Sequence, residues 1–294
     1  MTDLLVKLKK NLRLYFLAIF FVGSCFIWYA VLREGDAKTL QVDFLNVGQG
    51  DAIYIEAPNG NQLLIDGGPG KILLTRLGEV MPFYDRSIDM LLITNSDSDH
   101  MAGFIDLMNS YGVEKIIEQG TNPNTAIYKE VEQLEKEKGI EKVVARRGMK
   151  IILDEEDGVY LDILFPDRDV SGSKTNDASI VAHLIYGKNS YLLTGDSPQN
   201  VEKYLISLDG GNLKSDVLKV GHHGSRTSTS DELLGYISPK YAVISAGLNN
   251  SYGHPHKETI DVLNKFNIKT FITFKDGTIV TKSDGETINF EFLN

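Results

Sequence analysis

The 294-residue sequence predicts a layered α/β sandwich that follows one apolar helix at the N-terminus. Short apolar strands alternate with amphipathic helices from residue 39 onward. Two hairpins resemble each other, because the return strand of each ends in an aspartate beside a glycine, Asp66 in one and Asp196 in the other. Two similar halves, each a sheet with helices, would stack as the layers of one domain.

The N-terminal segment is predicted to anchor the chain in a membrane. Residues 14–32 carry no charge, and at about 1.5 Å per residue they span roughly 28 Å, close to the thickness of a bilayer core. Basic residues precede this run and mixed charges follow it. The positive-inside rule therefore predicts a cytoplasmic segment 1–13, an anchor 14–33 and an extracytoplasmic domain 34–294.

Two alternatives to an uncleaved anchor are a cleaved signal peptide and a lipoprotein attached through Cys25. A signal peptide would have a shorter apolar region and a small-residue cleavage site. A lipoprotein would continue as a polar tether, whereas the residues after Cys25 stay apolar. Both comparisons favour the uncleaved anchor.

The charge of the chain is divided unevenly. Residues 1–33 carry a net charge of +4 within a total of −10, which leaves −14 for residues 34–294. So acidic a domain excludes a general nucleic-acid-coating protein, which needs a basic surface. A phosphate substrate would need a bound cation. The single cysteine also excludes a disulfide framework within the chain and a cysteine-rich metal site.

The first half of the domain is predicted to be mainly strands followed by helices. Turn residues at 58–61 predict a hairpin there, and apolar residues at helical spacing predict two later helices. The predicted elements are strands over 39–47, 52–56, 62–66 and 88–94, and helices over 101–110 and 125–138.

The second half repeats this alternation. Turn residues at 187–190 predict a second hairpin, and a closing hairpin is expected between 270–274 and 278–281. The predicted elements are strands over 180–186, 191–194, 216–220, 241–245, 270–274, 278–281 and 286–292, and helices over 199–208, 231–237 and 256–266.

Polar residues collect where four of these strands end, and strand ends commonly form the ligand crevice of an α/β sheet. Carboxylates and imidazoles together are ligands for Zn²⁺, Mn²⁺ or Fe²⁺. The alternative is structural, because Ser and Asp also cap helices. His183, inside a strand, is interpreted as structural. The candidate ligands are Asp97, Asp99, His100, Asp196, His222, His223 and His254.

Residues 94–104, TNSDSDHMAGF, resemble the His-x-His-x-Asp-His motif of the metallo-β-lactamase superfamily. The order of the matching segments resembles the subgroup related to the extracellular domain of the DNA-uptake channel protein ComEC. The other segments are FLNVGQGDAIYI (44–55), LLIDGG (63–68), TNDASIV (175–181), YLLTGDS (191–197), DVLKVGHHGSRTS (216–228) and NNSYGHPH (249–256). The resemblance implies a four-layer αββα sandwich that binds one or two divalent ions, Zn²⁺ or Mn²⁺, where its two sheets meet.

The resemblance also implies a role for each matching residue. His222 is the favoured ligand of the histidine pair, and His223 is expected behind the ligands or beside the substrate. The implied metal ligands are Asp97, Asp99, His100, Asp196 and His222; the implied catalytic residues are Asp99, His223 and His254, the last as proton donor; Asp51 and Asp66 would orient the ligands; Lys219 and Ser225 would contact the substrate.

The sequence departs from the family motif at the first metal position. Asn95 stands where the superfamily usually has histidine, and Asp97 stands where histidine is also common. Asn176 or Asp177 occupies about the place of a further expected histidine. The first position is therefore expected to be rich in oxygen ligands, which favours Mn²⁺ or another hard ion.

The resemblance implies a membrane-anchored phosphodiesterase with a metal-bound hydroxide as the nucleophile. Nucleic acid is the first expected substrate and a cell-wall phosphodiester the second, while residues 14–33 contact the membrane. A different class of function, a non-catalytic metal-binding or sensor module with a degenerate first site, is supported by Asn95. The oligomeric state is left open by the sequence.

Overall fold

The computed structural model describes residues 2–34 and 39–293, which belong to two compact units, Met1–Lys38 and Thr39–Asn294. The first unit contains one helix, α1 (Thr2–Glu34). Its segment Asn11–Tyr29 is unburied, and no other helix of the described residues is long and apolar enough to cross a membrane. The predicted anchor 14–33 lies on this helix. Residues 35–38, which follow the predicted boundary, lie outside the described residues.

The second unit contains two sheets. In chain order the strands are β1 (Leu40–Phe44), β2 (Ile53–Glu56), β3 (Gln62–Ile65), β4 (Ser87–Ile93), β5 (Gly112–Glu118), β6 (Glu141–Val144), β7 (Lys150–Asp154), β8 (Val159–Phe165), β9 (Val181–Tyr186), β10 (Asn189–Leu193), β11 (Val217–Lys219), β12 (Tyr241–Ile244), β13 (Lys269–Ile272), β14 (Thr278–Ser283) and β15 (Ile288–Leu293). The first sheet has the order β15-β14-β1-β2-β3-β4-β5-β6, and the second has the order β13-β12-β11-β10-β9-β8-β7.

The helices connect the strands and cover the sheets. They are α2 (Ile72–Val80), α3 (Ser98–Met101), α4 (Gly103–Ser110), α5 (Ala126–Lys138), α6 (Gln199–Asp209), α7 (Asp231–Ile237), α8 (Lys257–Lys265) and α9 (Thr273–Asp276). Local chemistry sets several ends. The Thr125 side chain accepts a hydrogen bond from the Tyr128 N–H at the start of α5, and Gly139 ends that helix in a left-handed conformation.

Three apolar clusters hold the layers together. The central one lies between the sheets and includes Phe44 and Ile55 from the first sheet and Leu161 and Leu184 from the second. A second cluster joins the first sheet to α2, α4 and α5, and a third joins the second sheet to α6, α7 and α8. The order is helices, sheet, sheet, helices, as the predicted αββα sandwich requires.

The predicted closing hairpin is wrong. Strand β13 pairs with β12 in the second sheet, whereas β14 pairs with β1 and β15 in the first. Between them the chain turns through α9, where the Asp276 carboxylate accepts a hydrogen bond from the Ile272 N–H at 2.7 Å. This turn moves the chain from one sheet to the other. Strands β5 to β8 were also absent from the predicted elements.

Parallel pairing brings several strand ends to one edge of the sandwich. β3 pairs in parallel with β4, and β10, β11 and β12 pair in parallel with one another. The loops that leave β4, β10 and β11 carry the residues predicted to bind metal. This topology explains how ligands about a hundred residues apart in sequence can meet.

Candidate metal centre

Carboxylate and imidazole side chains from three strand ends converge at this edge. His100 Nε2 lies 3.1 Å from Asp196 Oδ2. His223 Nε2 lies 3.3 Å from Asp99 Oδ2 and 3.6 Å from the same Asp196 oxygen. His100 and His223 are buried, and the Asp99 side chain is 28% exposed. The cluster is therefore open to solvent at Asp99 and at the neighbouring His222, whose side chain is 25% exposed.

Left-handed backbone aims several of these side chains. Asp66, His222 and His223 have φ values of 58°, 49° and 54°, a region that costs about 1–2 kcal/mol for a residue other than glycine. The His222 N–H donates a 3.1 Å hydrogen bond to the Gly195 carbonyl, which holds this turn against the loop that carries Asp196. Strain of this kind is characteristic of functional sites.

The loop before α3 is not merely a helix cap. Asp97 occupies the N-cap position, yet its side chain accepts no hydrogen bond from the helix. Its Oδ2 instead accepts a 3.0 Å hydrogen bond from Thr175 Oγ1. The helix-cap interpretation of this segment therefore does not account for Asp97.

A close backbone approach fixes the position of Asp99. The Asp51 N–H donates to the Asp99 carbonyl at 3.2 Å. A Cβ at Gly50 would lie 2.2 Å from that same carbonyl oxygen, and Gly50 has a φ of 136°. Only glycine fits this position, for reasons of both space and conformation.

Carboxylates behind the two buried imidazoles orient them. Asp66 Oδ2 lies 2.9 Å from His100 Nδ1 and also accepts a hydrogen bond from Thr94 Oγ1. His223 Nδ1 lies 3.0 Å from the Ser245 carbonyl and 3.3 Å from Asp51 Oδ1. With each Nδ1 carrying a proton toward its partner, the Nε2 lone pairs face the centre of the cluster, as metal ligation requires.

Lys219 stabilises this arrangement through its contacts with Asp51 and the Val220 carbonyl. It is 1% exposed, and its Nζ lies 2.7 Å from Asp51 Oδ2 and 3.0 Å from the Val220 carbonyl. It is thus a buried ion-pair partner, and the prediction that Lys219 contacts substrate is wrong. Ser225 is also buried and hydrogen bonds to Thr227 within its own turn.

Unpartnered polar atoms show that the cluster fits a cation. Among the described residues, no hydrogen-bond partner exists for His100 Nε2, His223 Nε2, Asp196 Oδ1 or Asp51 Oδ1, all of them buried. Buried polar atoms without partners are rare in folded proteins. The two imidazole nitrogens, with the carboxylates of Asp196 and Asp99 beside them, form a donor set for a divalent metal ion.

In the absence of a metal ion, the side chains of the cluster shift one another's pKa values. Burial would lower the pKa of His100, but the Asp196 and Asp66 carboxylates outweigh burial and raise it well above the ordinary value. Burial is likewise outweighed at His223, where Asp196 and Asp51 raise the pKa to about 10. Against the effect of burial, His100 and His223 lower the pKa of Asp196 well below its usual range. Metal binding must therefore displace protons from the imidazoles.

The two adjacent histidines differ in placement. His223 belongs to two groups of side chains whose ligand atoms lie within 4.8 Å of one another, one with Asp99 and His100 and one with Asp51 and Asp196. The His222 side chain is 25% exposed, and its Nε2 lies 3.7 Å from Asp196 Oδ2. The geometry favours His223 as the ligand and places His222 at the rim, the reverse of the predicted roles.

His254 lies on the rim beside His222. Its ring centroid lies 5.4 Å from that of His222 and 5.6 Å from that of Tyr252, on which it stacks. Burial and the imidazoles of His222 and His223 lower its pKa to about 4. A neutral imidazole at this point is suited to hydrogen bonding, while the predicted role as proton donor would require a protonated ring.

Two open clefts flank the cluster. A cleft of about 270 Å³ is lined by Asp97, Asp99 and Tyr252 among others. A larger one of about 560 Å³ is lined by Lys174, Asn176 and His222 among others. Asp99 and His222 therefore border the spaces through which a substrate could reach Asp196.

Residues 45–247 match the model of a family described as the metallo-beta-lactamase superfamily. The chain is also similar to proteins with competence-related names. It is 32% identical over 272 residues to ComE operon protein 3 of Bacillus subtilis (strain 168), which covers 86% of this chain and 34% of that protein. It is 31% identical over 269 residues to Recombination protein 2 of Haemophilus influenzae, covering 88% of this chain and 31% of that protein.

A third relative, Competence protein ComA of Neisseria gonorrhoeae, is 32% identical over 238 residues, which cover 80% of this chain and 31% of that protein. The chain spans about a third of the length of these curated relatives. Among solved structures, CmlA, a diiron beta-hydroxylase from Streptomyces venezuelae, has a TM-score of 0.52 at 14% identity, over 80% of this chain and 52% of that one. That likeness shows the fold alone.

Proposed function

We propose that this chain, which belongs to the metallo-beta-lactamase superfamily, is a metal-dependent hydrolase that cleaves phosphodiester bonds. Proteins of this fold typically hold one or two divalent ions, and the described residues contain matching ligand groups. The observation that carries the proposal is the meeting of His100 Nε2, His223 Nε2 and Asp196 beside the partly exposed Asp99. Two imidazoles with a carboxylate are one of the ligand sets of hydrolytic zinc sites.

A divalent ion held by these residues would supply Lewis-acid polarisation and would lower the pKa of a nearby water molecule. The chain's own residues do the rest. Asp66 and Asp51 hold the two imidazoles with their Nε2 atoms inward. Asp99, the partly exposed carboxylate, is placed to accept a proton or hydrogen bond from the attacking water.

Because the domain is acidic, it would bind a phosphate substrate only with the help of a bound cation. Residues 34–294 carry a net charge of −14. At the rim of the larger cleft Lys174 is the cation of the lining, whereas Arg226 is ion-paired with Glu258. A phosphodiester group would therefore be bound mainly by the metal ion, with Lys174 and the rim histidines as neighbours.

Nucleic acid is the first substrate to test, because the sequence resembles a DNA-uptake protein, and a cell-wall phosphodiester is the second. We further propose that α1 anchors the domain in a membrane with residues 34–294 on the outer side, as the charge distribution predicts. The segment Asn11–Tyr29 of α1 has the length and composition for this role.

The test is an assay of the full-length chain in detergent with Mn²⁺ or Zn²⁺ added. The substrates are bis(p-nitrophenyl) phosphate, single- and double-stranded DNA, and a teichoic acid. We expect turnover that His100→Ala and Asp196→Ala abolish and that the exposed control Asp261→Asn retains. Metal binding without turnover of any of these substrates would instead support the non-catalytic module.

A further inference from the structure

We infer that the first metal position, beside Asn95, is closed by the protein's own hydrogen bonds, so that the chain holds a single divalent ion. This inference rests on the proposed metal-dependent function, but it concerns how many ions bind and not what they do. It follows from the contacts of three residues, Asn95, Asp97 and Asn176, which the family resemblance places around that position.

Both polar atoms of the Asn95 side chain are already held by hydrogen bonds. The side chain is fully buried, and its Oδ1 accepts a 2.9 Å hydrogen bond from the Asp97 N–H. That contact fixes the amide orientation, because the reverse orientation would face an NH₂ group toward an N–H. The remaining atom, Nδ2, is a donor without a lone pair for a metal.

The amide nitrogen has an acceptor of its own in the loop after β8. Asn95 Nδ2 donates to Asn176 Oδ1 at 2.6 Å and lies 3.5 Å from Ser179 Oγ. The carbonyl oxygen of Asn176, of a kind that can bind a hard cation, accepts this bond, so an ion would compete with it for that oxygen. A direct amide–amide contact thus replaces two expected ligands.

Asp97 is also partnered. Its Oδ2 accepts a 3.0 Å hydrogen bond from Thr175 Oγ1, next to Asn176 in sequence. The loop before α3 and the loop at 175–179 are therefore joined by three side-chain hydrogen bonds, two from Asn95 Nδ2 and one to Asp97 Oδ2. An ion at this position would compete with these bonds for oxygen ligands and would gain no imidazole in return.

The second metal position, at His100, His223 and Asp196, differs from the first in how far its polar atoms are hydrogen-bonded. Four buried atoms of His100, His223, Asp196 and Asp51 have no hydrogen-bond partner among the described residues, and Asn95 contributes none to that set. Among the described residues, no convergent group of carboxylate and imidazole ligand atoms includes Asp97. The second position has buried polar atoms without hydrogen-bond partners, whereas the side chains at the first position are hydrogen-bonded to one another. Only the second position therefore calls for an ion.

The test counts ions. Full-length protein in detergent is dialysed to equilibrium against Mn²⁺ or Zn²⁺, and metal per chain is measured by plasma mass spectrometry. We expect one ion per wild-type chain and two for Asn95→His combined with Asn176→His, which adds two imidazoles beside Asp97. The control Asn95→Ala removes the hydrogen bonds without adding a ligand and should keep one ion.

Each outcome separates the two proposals. Two ions in the wild type would overturn this inference and leave the proposed function standing, whereas no ion would overturn both. A folded double variant with one ion would also overturn it. Should the double variant not fold, Asn95→His alone is loaded with Mn²⁺ and examined by electron paramagnetic resonance. A spin-coupled pair of ions supports the inference, and an isolated ion with unchanged hyperfine pattern counts against it.

Discussion

The two halves of the sandwich solve the same local problem in different ways. In the first, the hairpin β2–β3 is followed by the parallel strand β4. In the second, the hairpin β9–β10 is followed by the parallel strand β11. Each return strand leads to an aspartate, but Asp66 directly follows Ile65, the last residue of β3, whereas Thr194 and Gly195 separate Asp196 from β10.

This small offset decides what each carboxylate does. Asp66 reaches the Nδ1 atom of His100 at 2.9 Å, and Asp196 reaches the Nε2 atom of the same ring at 3.1 Å. One carboxylate therefore stands behind the imidazole and the other in front of it. The same topology supplies an orienting residue in one half and a ligand in the other.

The largest expected effect comes from the carboxylate in front. Asp196→Asn removes the negative charge that faces both His100 and His223. We expect loss of bound metal and at least a ~10³-fold fall in phosphodiester turnover, because the ligand set loses its central charge. Metal analysis and kinetics of the purified variant check this result. Retention of metal at wild-type affinity would contradict the assignment of Asp196 as a ligand.

The next largest effect is expected at the buried ion pair that joins Lys219 of the second half to Asp51 of the first. Lys219→Met leaves Asp51 buried without its cation, which should lower the free energy of unfolding by about 3–5 kcal/mol. The matched control is Lys240→Met, whose pair with Asp216 is exposed on the lysine side and should contribute about 0–1 kcal/mol. Denaturant unfolding of both variants gives the comparison. Equal losses would show that burial of the Lys219 pair has no special weight.

The carboxylate behind the imidazole should have a smaller effect. Asp66→Asn keeps the shape of the side chain but weakens the contact with His100 Nδ1. We expect metal affinity to fall roughly 10–100-fold, the usual range for residues that orient a ligand. Competition with a chelator measures this change. Asp89→Asn is the control, because Asp89 lies in β4 beside Gln62, the residue at the start of β3, whereas Asp66 follows the end of β3. An equal effect there would refute the orienting role.

The smallest expected change, taken per pH unit, concerns the contrast between two buried carboxylates of the first half. Asp51 has a cation, whereas burial raises the pKa of Asp43 to about 8, and its Oδ1 has no partner among the described residues. Between about pH 4 and pH 8 the folded chain holds a proton at Asp43 that the unfolded chain has lost, so stability falls as the pH rises.

Asp43→Asn should remove this slope, which is at most about 1.4 kcal/mol per pH unit. Urea unfolding at pH 6, 7 and 8 checks it against the wild type, which keeps its hydrogen bond from Gln41 to Asp43. Parallel pH dependences for the two proteins would show that Asp43 is ionised in the folded chain.

Most of the fold could be predicted because its elements have clear periodicity. The hairpins at 58–61 and 187–190, the helix that became α5 and the αββα layering all follow from local chemistry or from the family resemblance, which the comparisons confirm. The closing hairpin could not be recognised as wrong, since two neighbouring strand patterns do not state which sheet each one joins. Strand β5, with Glu114 and Lys115 among its residues, lacks a clean apolar run.

Within the site, residue types were easier to predict than residue positions. Asp99, His100 and Asp196 were predicted ligands, and the structure brings them together with His223. The roles of His222 and His223 depend on two consecutive left-handed residues, a conformation that their sequence does not reveal. The burial of Lys219, an expected substrate contact, could not be predicted, because a lysine is seldom fully buried and its partner Asp51 lies 168 positions earlier.

The centre also has a mechanical consequence. Its candidate ligands come from loops on both sheets, and the single cysteine of the chain can form no disulfide within it. A bound ion would close a loop of about a hundred residues between His100 and Asp196, as a disulfide does in many exported domains. A bound ion would then link the two sheets at the edge that carries the candidate site, and chelation would weaken this link before the core unfolds.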